Sequence, residues 1–175
     1  ASAVVKRLID RTRIDPNTLE ALIVGCAFPE GEHGLNIARN IAFLADLPNS
    51  IGATTVNRFC GSSMQAVHMA AGAIALGAGD AFLCVGIESM TRVPMGGFNP
   101  MLNPKLVGAG HAAYMGMGET AENLAKKYDI SREEQDAFAV ESHKRAAEAQ
   151  AAGKFVDEIV SIETKDGTVD KDGCI

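Results

Sequence analysis

The sequence has no tryptophan, and aromatic residues make up only 5% of it; its four cysteines include no Cys-x-x-Cys pair. The cysteine spacing therefore supports neither a zinc site nor a disulfide framework, and we expect four free thiols and no bound metal. A cluster of basic residues is also missing, and the net charge is −6. An acidic chain with scattered basic residues argues against a nucleic-acid-binding surface.

Long apolar runs are absent as well. The longest, at 66–78, is rich in alanine and glycine and is interrupted by His68. It falls short of the roughly 20 strongly apolar residues that a membrane-spanning helix needs. The N-terminus also lacks the order of charged region, apolar block and cleavage site that marks a signal peptide. We therefore expect a soluble, cytoplasmic protein without a membrane span.

What the sequence does contain is an alternation of buried strands and helices. Short apolar runs predict strands at 21–28, 54–59 and 81–89. An amphipathic helix begins the chain, and helical patterns of about a dozen residues or more separate the three strands. Strands that alternate with helices in this way form βαβ units with a parallel sheet. The predicted fold class is α/β.

The pattern changes after the third strand. From 92 to 118 the sequence is rich in glycine, proline and methionine, shows neither helical nor strand periodicity, and is longer than most loops. We predict a functional loop region here, followed by helices at 120–128 and 131–152, the second of which begins with the capping-box sequence Ser-Arg-Glu-Glu. We accordingly divide the chain into 1–91 and 92–175.

Cys60 is the residue whose position suggests chemistry. It directly follows the strand predicted at 54–59 and begins the next helix, where orphan N–H groups and the helix dipole favour a thiolate. Gly61 leaves room for a carbonyl group, and the N–H groups of 60–62 are suited to stabilise an oxyanion. A reactive acyl-transfer cysteine and a small packed cysteine are both consistent with this position. The other three cysteines are interpreted as structural residues: Cys26, Cys84 and Cys174.

The spacing of the four histidines identifies no base for Cys60. His68 lies eight residues further along the same helix, a rise of roughly 12 Å. His143 belongs to a charged helix and is expected to be solvated, and His33 and His111 lie on loops that no spacing rule brings to the thiol. We expect the base to come from outside this chain.

Four segments, in order, carry a resemblance to a known family. The segment VNRFCGSSMQAVHMAA, 56–71, strongly resembles the nucleophile motif of thiolases. The likeness extends to GIESMTRVPM at 86–95, MGMGETAENLA at 115–125 and ISREEQDAFAVESHKRA at 130–146. An ordered set that spans nearly the whole chain is far more specific than any one motif.

The resemblance implies a thiolase-like fold: one incomplete N-terminal half with a mainly parallel sheet and covering helices, plus part of the loop region over the CoA and acyl chain. It implies that Cys60 is the acyl-accepting nucleophile that cleaves 3-ketoacyl-CoA with CoA, and that its N–H is part of an oxyanion hole. Met117 matches a substrate-lining position. Gly116 stands where short-chain acetoacetyl-CoA thiolases have a histidine, which favours longer acyl chains. CoA is then a substrate, and no resident cofactor is expected.

The sequence also departs from the thiolase pattern. It lacks the Gly-His-Pro histidine that activates the nucleophile and the second cysteine of the Cys-x-Gly motif. We therefore expect a piece of a roughly twice-longer protein and predict no thiolase turnover from 1–175 alone. The resemblance further implies a homodimer or homotetramer, with a fatty-acid oxidation complex as a further partner.

Three alternatives to a degradative thiolase of fatty-acid β-oxidation stay open. An acetoacetyl-CoA thiolase would use the same nucleophile on a shorter substrate. A related condensing enzyme, such as a ketoacyl synthase, would also have a cysteine at this turn. A non-catalytic, thiolase-like lipid-binding or scaffolding subunit would not need a reactive Cys60.

Overall fold

The structure, a computed structural model, describes residues 1–108 and 112–175. The predicted βαβ alternation is confirmed in the first hundred residues. The helices are α1 (Ser2–Thr12), α2 (Ile37–Leu44) and α3 (Ser62–Ala75), and the strands are β1 (Ala21–Gly25), β2 (Gly52–Val56) and β3 (Phe82–Gly86). Two short 3-10 turns, Pro16–Thr18 and Gly31–His33, complete this part.

The three strands form a parallel sheet in the order β2-β1-β3. The register pairs Gly25 with Val56 on one side and with Gly86 on the other, so the carboxyl ends of the strands are aligned. Parallel strands need helical crossovers, which explains why a helix precedes each new strand. The α/β class predicted from the sequence is therefore correct.

Both faces of the central strand are buried, as its continuous apolar sequence predicts. Leu22 and Val24 pack into a core that includes residues of α1 and α2, whereas Ile23 points to the opposite face and packs with α3. The residues of α3 in this second core are alanines, Ala66 and Ala70. Small residues on this face allow α3 to lie close to the sheet.

Two glycines at the strand ends bring the beginning of α3 against the sheet. A Cβ atom on Gly25 would overlap the backbone of Ser63, and a Cβ atom on Gly86 would lie 2.9 Å from the Ser63 Cβ. Any larger residue at Gly25 would therefore push the helix away from β1. The first turn of α3 is fixed beside the carboxyl ends of the strands by this close approach.

All three strands are shorter than predicted. Those predicted at 21–28, 54–59 and 81–89 end at Gly25, Val56 and Gly86. The reason is that side chains replace the strand partners at this edge. The Glu88 carboxylate accepts the N–H groups of Ala27 and Phe28, and the His33 ring accepts the N–H of Ser89. A side-chain acceptor ends a strand as effectively as a turn, but it leaves no pattern in the hydrophobicity.

The chain divides into two compact units, Ala1–Pro100 and Met101–Ile175. From composition we expected a division after residue 91, but the first unit extends to Pro100. It does so because residues after 91 are bonded to the loop that follows β1. Arg92 forms an ion pair with Glu32 at 2.6 Å, and the Phe98 N–H donates to the Glu30 carboxylate at 2.7 Å. The assignment of the units to thiolase regions stays a prediction.

The second unit contains α4 (Pro104–Gly108), a 3-10 turn (Ala112–Tyr114), α5 (Met117–Tyr128), α6 (Arg132–Ala151) and a hairpin of β4 (Ile162–Thr164) and β5 (Gly167–Val169). The sequence predicted that α5 begins near Thr120, but the helix begins at Met117. Its first turn is held by Glu119, whose carboxylate accepts the Gly116 N–H. The predicted capping box of α6 is confirmed, with Ser131 and Glu134 exchanging hydrogen bonds. None of the described helices combines the length and apolar character that a membrane crossing requires.

Candidate active site

Cys60 is exposed at the carboxyl-end edge of the sheet, on the turn that joins β2 to α3. The sequence predicted that it would directly follow the strand and begin the helix. Instead, the strand ends at Val56, and Gly61 is the N-cap of α3. Cys60 therefore lies within a short turn of its own, one residue before the N-cap. The thiol is still within one turn of the positive end of the α3 dipole.

The turn has an unusual backbone conformation immediately before the cysteine. Phe59 has φ = 46°, in the left-handed region that bulky residues rarely adopt, and the residue is 66% exposed. The ring lies 6.2 Å, centroid to centroid, from that of Phe28. Such a conformation persists only where surrounding interactions hold it, and it is often found at functional sites.

Ser62, the first residue of α3, holds the turn to the beginning of that helix. Its buried hydroxyl accepts the Arg58 N–H at 2.9 Å and donates to the Phe59 carbonyl at 2.5 Å. Arg58 in turn donates from its guanidinium to the Gln65 side chain at 2.9 Å. The serine of the Cys-Gly-Ser sequence therefore has a definite structural role on the helical side of the turn.

The backbone N–H groups of the turn are not equally available. We expected the three N–H groups of 60–62 to face an oxyanion. Those of Gly61 and Ser62 instead donate to the carbonyls of Arg58 and Phe59, each at 3.0 Å. No such acceptor is found for the Cys60 N–H among the described residues. Of the three, only the N–H of the cysteine itself is suited to an incoming oxyanion.

Asn57 connects the turn to the neighbouring strand. Its side-chain amide donates to the Ala27 carbonyl at 3.0 Å, and its side-chain oxygen accepts the Phe59 N–H at 2.9 Å. Sequence reasoning did not identify this residue or Glu88. Both residues lie within the strands predicted at 54–59 and 81–89, and the structure places them just after the observed ends of β2 and β3. The available signal was a polar side chain near the carboxyl end of a predicted parallel strand, the edge at which α/β proteins bind ligands.

A second cluster lies at the same edge. The Sγ of Cys26, a ring nitrogen of His33 and a carboxylate oxygen of Glu88 lie within 4.8 Å of one another. The distances alone would admit a metal ion. However, the His33 Nδ1–H donates to the Phe28 carbonyl at 3.1 Å, and Nε2 accepts the Ser89 N–H at 3.0 Å. With both nitrogens engaged, the ring has no free lone pair for an ion, and the cluster is a hydrogen-bonded brace between loops.

The brace suppresses the reactivity of Cys26. Burial, a hydrogen bond with Glu88 and the charge of that carboxylate together raise the pKa of Cys26 from 9.0 to about 11. Burial also raises the pKa of Cys84, which lies within β3. Cys26 follows β1 rather than lying inside it, but its structural interpretation is supported. Among the cysteines of the described residues, only Cys60 and Cys174 are exposed.

The histidines supply no base for Cys60 within the described residues. Both ring nitrogens of buried His33 are engaged, and His68 is exposed two turns along α3. His143 is exposed on α6, as predicted. His111 lies outside the described residues. The expectation that the base comes from elsewhere stays a prediction.

The two predicted substrate-lining residues belong to the second unit. Gly116 is the N-cap of α5, and its N–H donates to the Glu119 carboxylate at 3.3 Å. Met117 is the first residue of that helix, and 70% of its surface is exposed. An exposed methionine beside an unobstructed glycine is suited to contact an apolar chain. Their role in substrate binding stays a prediction.

The comparisons with known proteins agree with this geometry. The family described as "Thiolase, N-terminal domain" matches residues 1–175. The chain belongs to the thiolase family. It is 51% identical over 159 residues to a 3-ketoacyl-CoA thiolase of Bacillus subtilis, with 91% of this chain and 41% of that protein covered. A 3-ketoacyl-CoA thiolase of Shewanella oneidensis is 48% identical over 164 residues, with 92% and 41% covered.

The chain thus spans about two fifths of the length of these thiolases. The family resemblance read from the four segments is confirmed, and so is the predicted α/β fold. The matched region includes the turn at Cys60 and the helices that follow it.

Proposed function

We propose that the complete protein containing this chain is a 3-ketoacyl-CoA thiolase of fatty-acid β-oxidation, with Cys60 as its nucleophile. The observation that carries the proposal is the exposed Cys60 thiol on a strained turn at the carboxyl-end edge of a parallel sheet, before the N-terminus of α3. The names of the relatives support the substrate class.

The chemistry follows from the position of the thiol. The Cys60 thiolate attacks the 3-keto carbon, and the oxyanion that forms accepts the Cys60 N–H. The C2–C3 bond then breaks, and C2 leaves with the electron pair as the enolate of acetyl-CoA, which takes a proton from an acid. The thiolate of CoA attacks the remaining thioester, releases the shortened acyl-CoA and restores the Cys60 thiolate. The atoms and electrons balance without an oxidant or a resident cofactor.

The base and the acid are proposed to lie in other parts of the complete protein, because no described histidine is available to Cys60. The proposal includes a preference for longer acyl chains, since Gly116 leaves space where a histidine would stand. It also includes a cytoplasmic, homodimeric or homotetrameric enzyme that associates with a fatty-acid oxidation complex. Family membership is the support for these last features.

The proposal is tested on the complete protein with acetoacetyl-CoA and with 3-ketoacyl-CoA substrates of eight to twelve carbons. Replacing Cys60 with alanine should lower kcat by more than about a thousandfold, because no acyl-enzyme can form. Without CoA, mass spectrometry should find the acyl group on the peptide that contains Cys60. Cys174→Ala, which removes the other exposed thiol, is the matched control and should leave kcat unchanged.

Two results would contradict the proposal. Turnover that survives Cys60→Ala would exclude this nucleophile. A higher kcat/KM for acetoacetyl-CoA than for the longer substrates would reverse the proposed chain-length preference while leaving the nucleophile in place.

A further inference from the structure

We propose that Asn57 is a positioning residue for Cys60: its side chain holds the Phe59–Cys60 turn in its strained conformation and fastens that turn to the loop that follows β1. This inference rests on the proposed role of Cys60 as nucleophile. Asn57 touches neither the thiol nor a substrate, so its effect is transmitted through the backbone of the turn.

The first step is the geometry of the amide. Asn57 uses both ends of its side chain, with the nitrogen donating to the Ala27 carbonyl and the oxygen accepting the Phe59 N–H. The acceptor bond spans two residues, which is the pattern in which asparagine stabilises a turn through its own side chain. A single side chain thus joins the residue before the nucleophile to the loop after β1.

The second step is the strain at Phe59. A non-glycine residue in the left-handed region pays a conformational penalty that neighbouring interactions must offset. Two side chains hold Phe59: Asn57 accepts its N–H, and Ser62 donates to its carbonyl. Without the first bond, the N–H of the Arg58–Phe59 peptide loses its acceptor, and the strained φ of Phe59 is held only through the bonds of Ser62 to the Phe59 carbonyl. Rotation about that φ would move the Cys60 thiol and the Cys60 N–H together.

The third step is the anchor at the other end. Ala27 is not a loose partner, because its own N–H is accepted by the Glu88 carboxylate. The Cys26 N–H, one residue earlier, donates to the Val56 carbonyl at 3.0 Å. Asn57 therefore links the turn to a loop that is bonded to both neighbouring strands. Ser62 provides the corresponding link to α3.

This arrangement makes a prediction that separates positioning from folding. Nucleophilic attack and oxyanion binding depend on the placement of the Cys60 thiol and N–H, and misplacement by about 1 Å can cost around a hundredfold in rate. The two bonds of Asn57 go to backbone groups of Ala27 and Phe59, and we expect its loss to leave binding of the CoA moiety unchanged. Loss of the amide should therefore lower kcat and slow alkylation of Cys60, with little change in KM.

The experiment uses the complete protein with Asn57→Ala, which removes both bonds, and Asn57→Asp, which keeps an acceptor for the Phe59 N–H. Asn17→Ala is the matched control, because that exposed amide bonds only to Asp15, in a turn before β1. The measurements are kcat, KM, the melting temperature and the rate at which iodoacetamide labels Cys60. Labelling does not require turnover.

We expect Asn57→Ala to lower both kcat and the Cys60 labelling rate by about tenfold or more, with KM within about threefold of wild type. Asn57→Asp, which keeps the acceptor for the Phe59 N–H but loses the donor to the Ala27 carbonyl, should label at a rate between those of Asn57→Ala and wild type. The inference is overturned if Asn57→Ala stays within about twofold in both rates. The inference is also overturned if the lower rates of Asn57→Ala are explained by a lower melting temperature and a smaller fraction of folded protein, and Asn57→Asp raises neither rate.

The outcome is distinct from failure of the proposed function. If Cys60→Ala remains active, the nucleophile assignment is wrong, whatever Asn57 does. If Cys60→Ala is inactive and Asn57→Ala behaves as wild type, only the positioning role is excluded. Because labelling reports the reactivity of the thiol itself, it tests the role of the amide in either case.

Discussion

The two units of the chain obtain their order in different ways. The first, Ala1–Pro100, contains every fully buried apolar residue among those described, and its core connects the sheet with the helices on both faces. In the second, Met101–Ile175, no described residue is fully buried. The first unit is therefore stabilised by contacts distant in sequence, and the second by interactions a few residues apart.

The local interactions of the second unit are readily identified. The capping box begins α6, and ion pairs four residues apart follow along it, Arg132 with Asp136 at 2.9 Å and Arg145 with Glu141 at 2.7 Å. Exposed pairs of this kind each contribute only a few tenths of a kcal/mol, about 0.3–0.5. Phe138 on the same helix is 80% exposed. Local signals therefore suffice to specify a helix without giving it a buried face.

The largest expected contrast is between a core leucine and a surface leucine. Leu22 of β1 is completely buried, whereas Leu124 of α5 is largely exposed. Leu22→Ala should lower the free energy of unfolding of the first unit by about 2–5 kcal/mol, because it leaves a cavity beside the sheet. Leu124→Ala should change the free energy of unfolding of the second unit by less than about 0.5 kcal/mol. Hydrogen exchange of β1 and α5 amides in the complete protein measures both, and equal effects would remove the distinction between the units.

The next contrast depends on pH. The folded-state pKa of Cys26 is raised from 9.0 to about 11, so folding favours the protonated thiol. Its contribution to stability is complete below about pH 9 and is lost as the pH rises through about 11, by at most about 2–3 kcal/mol. Cys26→Ser should flatten the fall in melting temperature between about pH 9.5 and about pH 10.5, limits that lie roughly half a unit inside the two pKa values.

Cys174→Ser is the control for this measurement, because it removes an exposed thiol from the second unit. It should leave the pH dependence as it is in the wild type. An unchanged slope in Cys26→Ser would show that the buried thiol does not couple to folding.

The smallest effect concerns the second unit alone. Ser131→Ala removes the side-chain acceptor of the Glu134 N–H and should cost about 1 kcal/mol. Hydrogen exchange at the first turn of α6 should accelerate by about fivefold, whereas the sheet amides should not respond. Ser142→Ala, at an exposed position within the same helix, serves as the control. Faster exchange in β1 would indicate that the units are more strongly coupled than this contrast implies.

Hydrophobic periodicity predicted the existence, type and order of the main elements, because β1 is buried on both faces and the apolar residues of β2 and β3 pack against the same two cores. The exact ends of the strands were harder to predict from the sequence. Gly25 ends β1 because Glu88, more than sixty residues later, accepts the next N–H groups of the chain. No local pattern contains that information. The capping box at Ser131 was predictable because both of its partners lie within four residues.

The site shows the same limit. Cys60 stood out because it lies between a strand pattern and a helix pattern, and the family motif strengthened that interpretation. The supports of the turn did not stand out, since Asn57 and Glu88 act on backbone groups rather than on other side chains.

The aligned carboxyl ends of the three strands have a consequence for how this scaffold can vary. The exposed residues that follow them, such as Asn57, Arg58 and Glu88, form a rim outside the apolar interior, whereas Cys26, directly after β1, belongs to that interior with Leu22 and Val24. Substitutions at that rim can therefore alter reactivity or selectivity while the interior keeps its composition. A library restricted to exposed rim positions, in which Cys26, Asn57 and Glu88 are kept, should yield mostly folded variants with a wide range of catalytic rates.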